Sequence, residues 1–183
     1  TLYRLFSNPN IAWVVPNFKL KAFAAPQEHS MVTLRPQWAV EKIKANEAWS
    51  KAGNKGKKNV LLAVIDTGVD YNHKNLVPNM VPGYDFRDND ADPMDLTSGQ
   101  NPGHGTHCAG IAAGAGNVEE GIIGSGPDVS IMPIRFLGAD GSGDLNGGIR
   151  SIDYAIEKGA HVISASWGAA VPRNQAGPLI EAV

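Results

Sequence analysis

Asp66 and His104 are the residues of this sequence best placed to do chemistry. Asp66 closes an apolar run, Asn59-Val60-Leu61-Leu62-Ala63-Val64-Ile65, which delivers a carboxylate to the end of a hydrophobic segment. Burying a charge there is costly unless a partner meets it. His104 stands between Gly103 and Gly105 and opens a run of small residues that ends at Gly114. The glycines let the backbone turn sharply and come close to a ligand, and the Ala/Gly run reads as a closely packed helix. An imidazole at the start of that helix suits proton transfer near neutral pH, and a carboxylate that holds its tautomer makes two thirds of a nucleophilic triad. Each residue also has a plainer reading, Asp66 as a turn or capping residue and His104 as a capping or packing histidine.

Other chemistries fit these residues less well. Cys108 lies one helical turn from His104, inside the helix and away from the N-terminus that would stabilise a thiolate. His104 and His107 lack the His-Glu-x-x-His pattern of a metal pair, and Asp66-Thr67-Gly68 is not the G-x-G-x-x-G of a dinucleotide loop.

The two residues have to be positioned by elements that the hydrophobic pattern outlines. The run at 59–65 is too short for a typical helix and matches a strand buried on both faces. Strands are also expected at 129–134 and 161–166, with Pro133 arguing against a central place for the former. Helices are expected over 38–52, over the small-residue run, and from about 145 to 158, where Ile149, Ile152 and Ile156 share a face. Residues 11–15 read as a short β-like run, 18–23 as an extended segment, and 26–36 as a linker. The alternation of strand and helix implies an α/β fold, a parallel sheet with helices on both faces. Its functional crevice lies at the carboxyl ends of the strands, where Asp66 sits. Residues 178–183 begin a further helix without a cap, so the fold is expected to be incomplete at the C-terminus.

With 183 residues, 43% of them hydrophobic, the chain is globular. A net charge of −2 without a Lys/Arg block argues against nucleic acid as a partner, and no apolar run approaches a membrane span. Cys108 is the only cysteine, so no internal disulfide can form and the redox compartment is unreadable.

Val64-Ile65-Asp66-Thr67-Gly68-Val69-Asp70 and Gly103-His104-Gly105-Thr106-His107-Cys108-Ala109-Gly110-Ile111 resemble the Asp and His boxes of the subtilisin-like serine proteases, nearest the thermitase and proteinase K branches. Leu137 to Gly143 and Ile163 to Gly168 are similar to that family's two substrate-lining segments. The resemblance runs from about Trp38 to Val183 and implies a serine endopeptidase acting on extended polypeptides. It implies that Asp66 orients His104 and that His104 is the general base and acid. It also implies that Leu137, Gly141, Ser142 and Gly143, with Ser166, Trp167 and Gly168, bracket a substrate by strand addition. Trp167 is expected near the pocket for the side chain before the scissile bond. The family's serine box and oxyanion asparagine do not occur before Val183, and Ser166 is no substitute, because Ser164-Ala165-Ser166-Trp167-Gly168 lacks the first glycine of a nucleophile elbow. The alternative is a catalytically inactive, peptide-binding member of the family.

Two further expectations follow from the resemblance. Asp85, Asp88, Asp90 and Asp92 match a structural calcium loop of the thermitase branch, although Pro93 and the lack of a closing Glu exclude an EF-hand, and a solvated acidic turn is the plainer reading. Residues 1–25 are similar to the C-terminal end of an inhibitor propeptide, with a processing junction near Ala24-Ala25-Pro26. The partners implied are polypeptide substrates, the chain's own propeptide and the missing C-terminal part of the peptidase domain. Secretion is implied by the family and not by a signal peptide.

Overall fold

The computed structural model describes residues 8–23, 37–96, 98–116, 121–172 and 176–182. Its centre is a four-stranded parallel sheet in the order β3-β4-β2-β6, built from β2 (Leu61–Asp66), β3 (Tyr84–Asp85), β4 (Ser130–Arg135) and β6 (Val162–Ser164). Alternation along β2 divides the core into two layers. Leu62 and Val64 meet Ala109 and Ala113 of helix α3 (His104–Ala113) on one face. Ala63 and Ile65 meet Ile152 and Ala155 of helix α4 (Leu145–Glu157) on the other. Helices therefore cover both faces, as the near-continuous apolar strands require. Small residues on α3 let it approach the sheet. A Cβ on Gly105 would overlap the Gly68 carbonyl oxygen and lie 2.9 Å from the Asp66 Cβ.

Several expectations change in detail. Residues 38–52 form two helices, α1 (Trp38–Lys42) and α2 (Ala45–Ala52), separated where Lys44 takes φ 57°. The apolar run at 11–15 has no strand partner among the described residues. Ile156 is 59% exposed, and α4 packs instead through Gly148, Ser151, Ile152 and Ala155. Pro133 does occupy a central strand. The carbonyls of Ile131 and Arg135 accept from the N–H groups of Val81 and Phe86, so the odd residues of β4 face β3, and the missing donor of Pro133 falls on that short neighbour. The long β2–β4 ladder is untouched. The linker expected at 26–36 lies outside the described residues.

A second, antiparallel sheet has the order β5-β1-β7, from β1 (Lys19–Ala22), β5 (Ser142–Asp144) and β7 (Trp167–Gly168). The chain's leading segment is its central strand. α5 (Gly177–Ala182) packs beside α4. No helix among the described residues is long and apolar enough to cross a membrane.

Candidate active site

β2 carries Asp66 to the carboxyl edge of the parallel sheet, and α3 begins there with His104. The turn into α3 uses Gly103 at φ 68°, a left-handed conformation that glycine adopts without steric cost. Asp66 and His104 are 1% and 4% exposed, and His104 Nδ1 lies 2.7 Å from Asp66 Oδ1. Oδ1 also accepts from the Thr67 backbone N–H at 2.7 Å. Asp66 Oδ2 is buried with no partner among the described residues, so the carboxylate is held through Oδ1 alone, by His104 and the Thr67 N–H. The hydrogen bond to Asp66 pushes the His104 imidazole up to about 10 from its ordinary 6.5, helped by the Cys108 thiol 4.0 Å away, while burial pulls it down. The plain capping role for His104 is not what the structure shows, since no side chain caps α3 from its N-cap position and the imidazole is turned to Asp66.

The two segments expected to line a substrate flank the leading strand. Lys19, Leu20 and Lys21 pair with Asp144, Gly143 and Ser142, and Lys21 and Ala22 pair with Gly168 and Trp167. Ala22 N donates to Gly141 O at 2.8 Å, and Phe23 N donates to Ser166 O at 3.0 Å. Gly141, Ser142, Gly143, Ser166, Trp167 and Gly168 thus form two rails along one extended segment. Leu137 sits beneath them, with its Cδ2 2.9 Å from where a Gly143 Cβ would be. The Trp167 indole does not lie beside Phe23. It packs edge-on to Phe136 with centroids 4.9 Å apart and donates to the carbonyl of Ile65 at 2.8 Å. Gly168 is the residue against the Phe23 ring. Leu20 is fully buried with Phe136, Leu137, Ile152 and Trp167.

The acidic stretch divides. Asp85 is buried and pairs with Arg135 at 2.5 Å, and Asp88 meets the same guanidinium at 2.8 Å. Burial raises the Asp85 carboxyl, against the pull of the Asp88 and Arg87 N–H groups and of Arg135. Asp90 accepts from Asp92 N, and Asp92 accepts from Tyr71 OH and Met94 N. These oxygens are chemically suited to a hard cation. Yet among the described residues the only group of three or more His, Cys, Asp or Glu side chains with ligand atoms mutually within 4.8 Å is Asp66, His104 and Cys108. The four carboxylates do not converge in this arrangement, because Arg135 pairs with Asp85 and Asp88.

Sequence reasoning passed over Arg135, which closes an otherwise apolar strand as Asp66 closes β2. It also passed over Asp95, Thr67 and Thr106. Thr67 Oγ1 donates to Asp95 Oδ1 at 2.8 Å, and Thr106 gives Asp95 Oδ2 both its hydroxyl at 2.6 Å and its backbone N–H at 2.9 Å. The available signal was a threonine directly after each of Asp66 and Gly105, with a third polar group needed to satisfy both.

The family model described as the subtilase family, peptidase S8, matches residues 57–183. Thermitase of Thermoactinomyces vulgaris is 44% identical over 135 residues, 74% of this chain and 46% of that protein. The thermophilic serine proteinase of Bacillus sp. (strain AK1) is 40% identical over 164 residues, 90% of this chain and 39% of that protein. A cold adapted subtilisin-like serine proteinase of known crystal structure superposes with a TM-score of 0.55 at 34% identity, covering 68% of this chain and 42% of its own. The chain therefore spans less than half the length of these relatives. Other relatives carry names that are extracellular in some cases and intracellular in others.

Proposed function

The chain belongs to the subtilase family, and on that premise we propose that it is the N-terminal part of a serine endopeptidase whose own leading segment lies in the substrate groove. The observation that carries this reading is the buried 2.7 Å Asp66–His104 pair at the carboxyl ends of the parallel strands. Asp66 holds the imidazole with Nε2 free for a serine hydroxyl. His104 takes the serine's proton as general base and returns it to the leaving amine as general acid. The serine and an oxyanion asparagine come from the remainder of the domain. That remainder also covers β6, an edge strand on which Val162 and Ile163 are 53% and 36% exposed.

Substrates are extended polypeptides that add a strand between β5 and β7, in the way β1 does here. Residues 1–25 act as the C-terminal tail of an inhibitor propeptide, and release follows cleavage near Ala24-Ala25-Pro26. The protein works outside the cell, a reading that rests on the family resemblance. The groove by itself would also serve a peptide-binding module without catalysis. The test is hydrolysis of a chromogenic peptide by the complete protein and by this chain. The complete protein is expected to turn over and this chain to be inactive, because it lacks the nucleophile. A complete protein that binds the residue 8–23 peptide without hydrolysing anything would establish the binding module instead.

Calcium enters this reading only as a competitor of Arg135. Binding at Asp85, Asp88, Asp90 and Asp92 requires Arg135 to release two carboxylates. Millimolar calcium is then expected to raise the melting temperature of the complete protein, and Asp90→Asn to abolish the rise. A melt indifferent to both calcium and chelator leaves Arg135 as the loop's counter-charge.

A further inference from the structure

The Asp66 turn and the His104 helix are joined by a carboxylate from a third segment. Gly103, the N-cap of α3, offers no side chain to the first N–H groups of the helix. Asp95, 4% exposed, reaches in from the preceding loop and accepts the Thr106 backbone N–H and hydroxyl on Oδ2. Its Oδ1 accepts from Thr67 Oγ1, which in turn accepts from Gly105 N at 2.9 Å. The Thr106 hydroxyl accepts from Asp70 N at 2.8 Å. These bonds cross directly between residues 67–70 and 105–106, the segments that follow Asp66 and His104. The loop is held against the turn as well: Val69 N donates to Pro93 O at 3.0 Å, and a Cβ on Gly68 would lie within 2.8 Å of the Pro93 and Met94 backbone.

We propose that Asp95 is a positioning residue, a clasp whose carboxylate ties the Asp66 turn to the first turn of the His104 helix and thereby sets the Asp66–His104 geometry. Burial raises the Asp95 carboxyl above its ordinary value, and the hydrogen bonds from Thr106 and Thr67 oppose that rise. A neutral side chain of the same shape keeps one accepting oxygen, whereas alanine leaves Thr67 Oγ1 and Thr106 N without their partner.

This inference rests on the peptidase reading, and its test separates the two. In the complete protein Asp95→Ala is expected to lower kcat about 100-fold with KM changed less than about threefold, since misplacement by about 1 Å costs about that much. Asp95→Asn should recover about tenfold of the loss. The low-field resonance of the His104 Nδ1 proton, which reports the bond to Asp66 without any turnover, should broaden or move upfield in Asp95→Ala and less in Asp95→Asn. If Asp95→Ala does not fold, Thr67→Val removes one arm of the clasp at nearly constant volume and should show the same pattern more weakly. Wild-type kcat with an unmoved resonance in the variants, or a lowered melting temperature as the sole effect, overturns the clasp. A wild-type protein that keeps the resonance but has no peptidase activity overturns the peptidase reading and leaves the clasp to be judged on the resonance.

Discussion

His104→Ala in the complete protein is expected to abolish peptide hydrolysis and removal of the residues before about Pro26 together. In subtilisin itself loss of the triad histidine costs about 10⁶ in kcat, and the arrangement here gives His104 the same work. Its imidazole is buried, held by Asp66 at 2.7 Å, and placed at the edge where strands β2 and β4 end. The leading strand β1 lies between β5 and β7, and that placement is why one residue is expected to control both events. Asp66→Asn should impair both events in parallel, by about 10⁴, because an amide leaves the ring in the wrong tautomer. N-terminal sequencing of wild type and His104→Ala from a protease-deficient host decides the matter. A mutant that matures at the same bond and rate removes self-processing from the reading, and one that also keeps full activity removes the triad.

The protonation of His104 gives that reaction a direction in pH. The imidazole is raised to about 10 in this chain and so carries its proton at neutral pH, whereas a general base needs the neutral form. Activity must then rise with pH as His104 titrates. Covering β6 and the groove with the rest of the domain adds burial, which already pulls the imidazole down, and moves the rise toward neutrality. Stability runs the other way. A histidine raised above its unfolded value contributes fully below about 6.5 and loses its contribution as pH climbs toward about 10.

What the sequence made legible follows from how each feature is encoded. Asp66 and His104 were readable because a charge after a fully apolar run and a histidine between glycines are costly unless used. The parallel sheet was readable because strands buried on both faces leave continuous apolar runs. The central position of Pro133 was not, because only the three-dimensional register shows which side of β4 lacks a partner. The break at Lys44 was not, because nothing in the charged, helix-compatible run at 38–52 marks a left-handed residue. Arg135 and Asp95 were missed for a common reason: each is satisfied by groups dozens of residues away in the chain or on another element, and charge counted along the sequence places them in a solvated loop or at a strand end. The direction of the Trp167 side chain, which packs on Phe136 and donates to the Ile65 carbonyl, was not readable, since a two-residue strand shows no alternation.

Leu20→Ala is expected to weaken the hold of the leading segment on the groove by about 30- to 150-fold. Leu20 is fully buried, with its Cδ1 3.0 Å from the Cβ position of Gly148 and the Trp167 ring 3.4 Å from the same point. Phe136, Leu137 and Ile152 complete its surroundings. Emptying such a site costs about 2–3 kcal/mol in lost burial and residual cavity, which converts to that range of affinity. The neighbouring lysine is the contrasting case. Lys19 pairs with Asp140 at 3.6 Å with both side chains about half exposed or more, and such a pair contributes less than about 1 kcal/mol. Lys19→Ala should therefore change affinity only a fewfold. The backbone pairings to β5 and β7 are common to both peptides, so the difference isolates the leucine. Calorimetric titration of the complete protein, freed of its leading segment, with synthetic peptides of residues 8–23 carrying either change measures both effects, whether or not the protein is catalytic. If Leu20→Ala binds within about threefold of the unaltered peptide, the tail is held by its backbone alone and the leucine pocket is not an anchor.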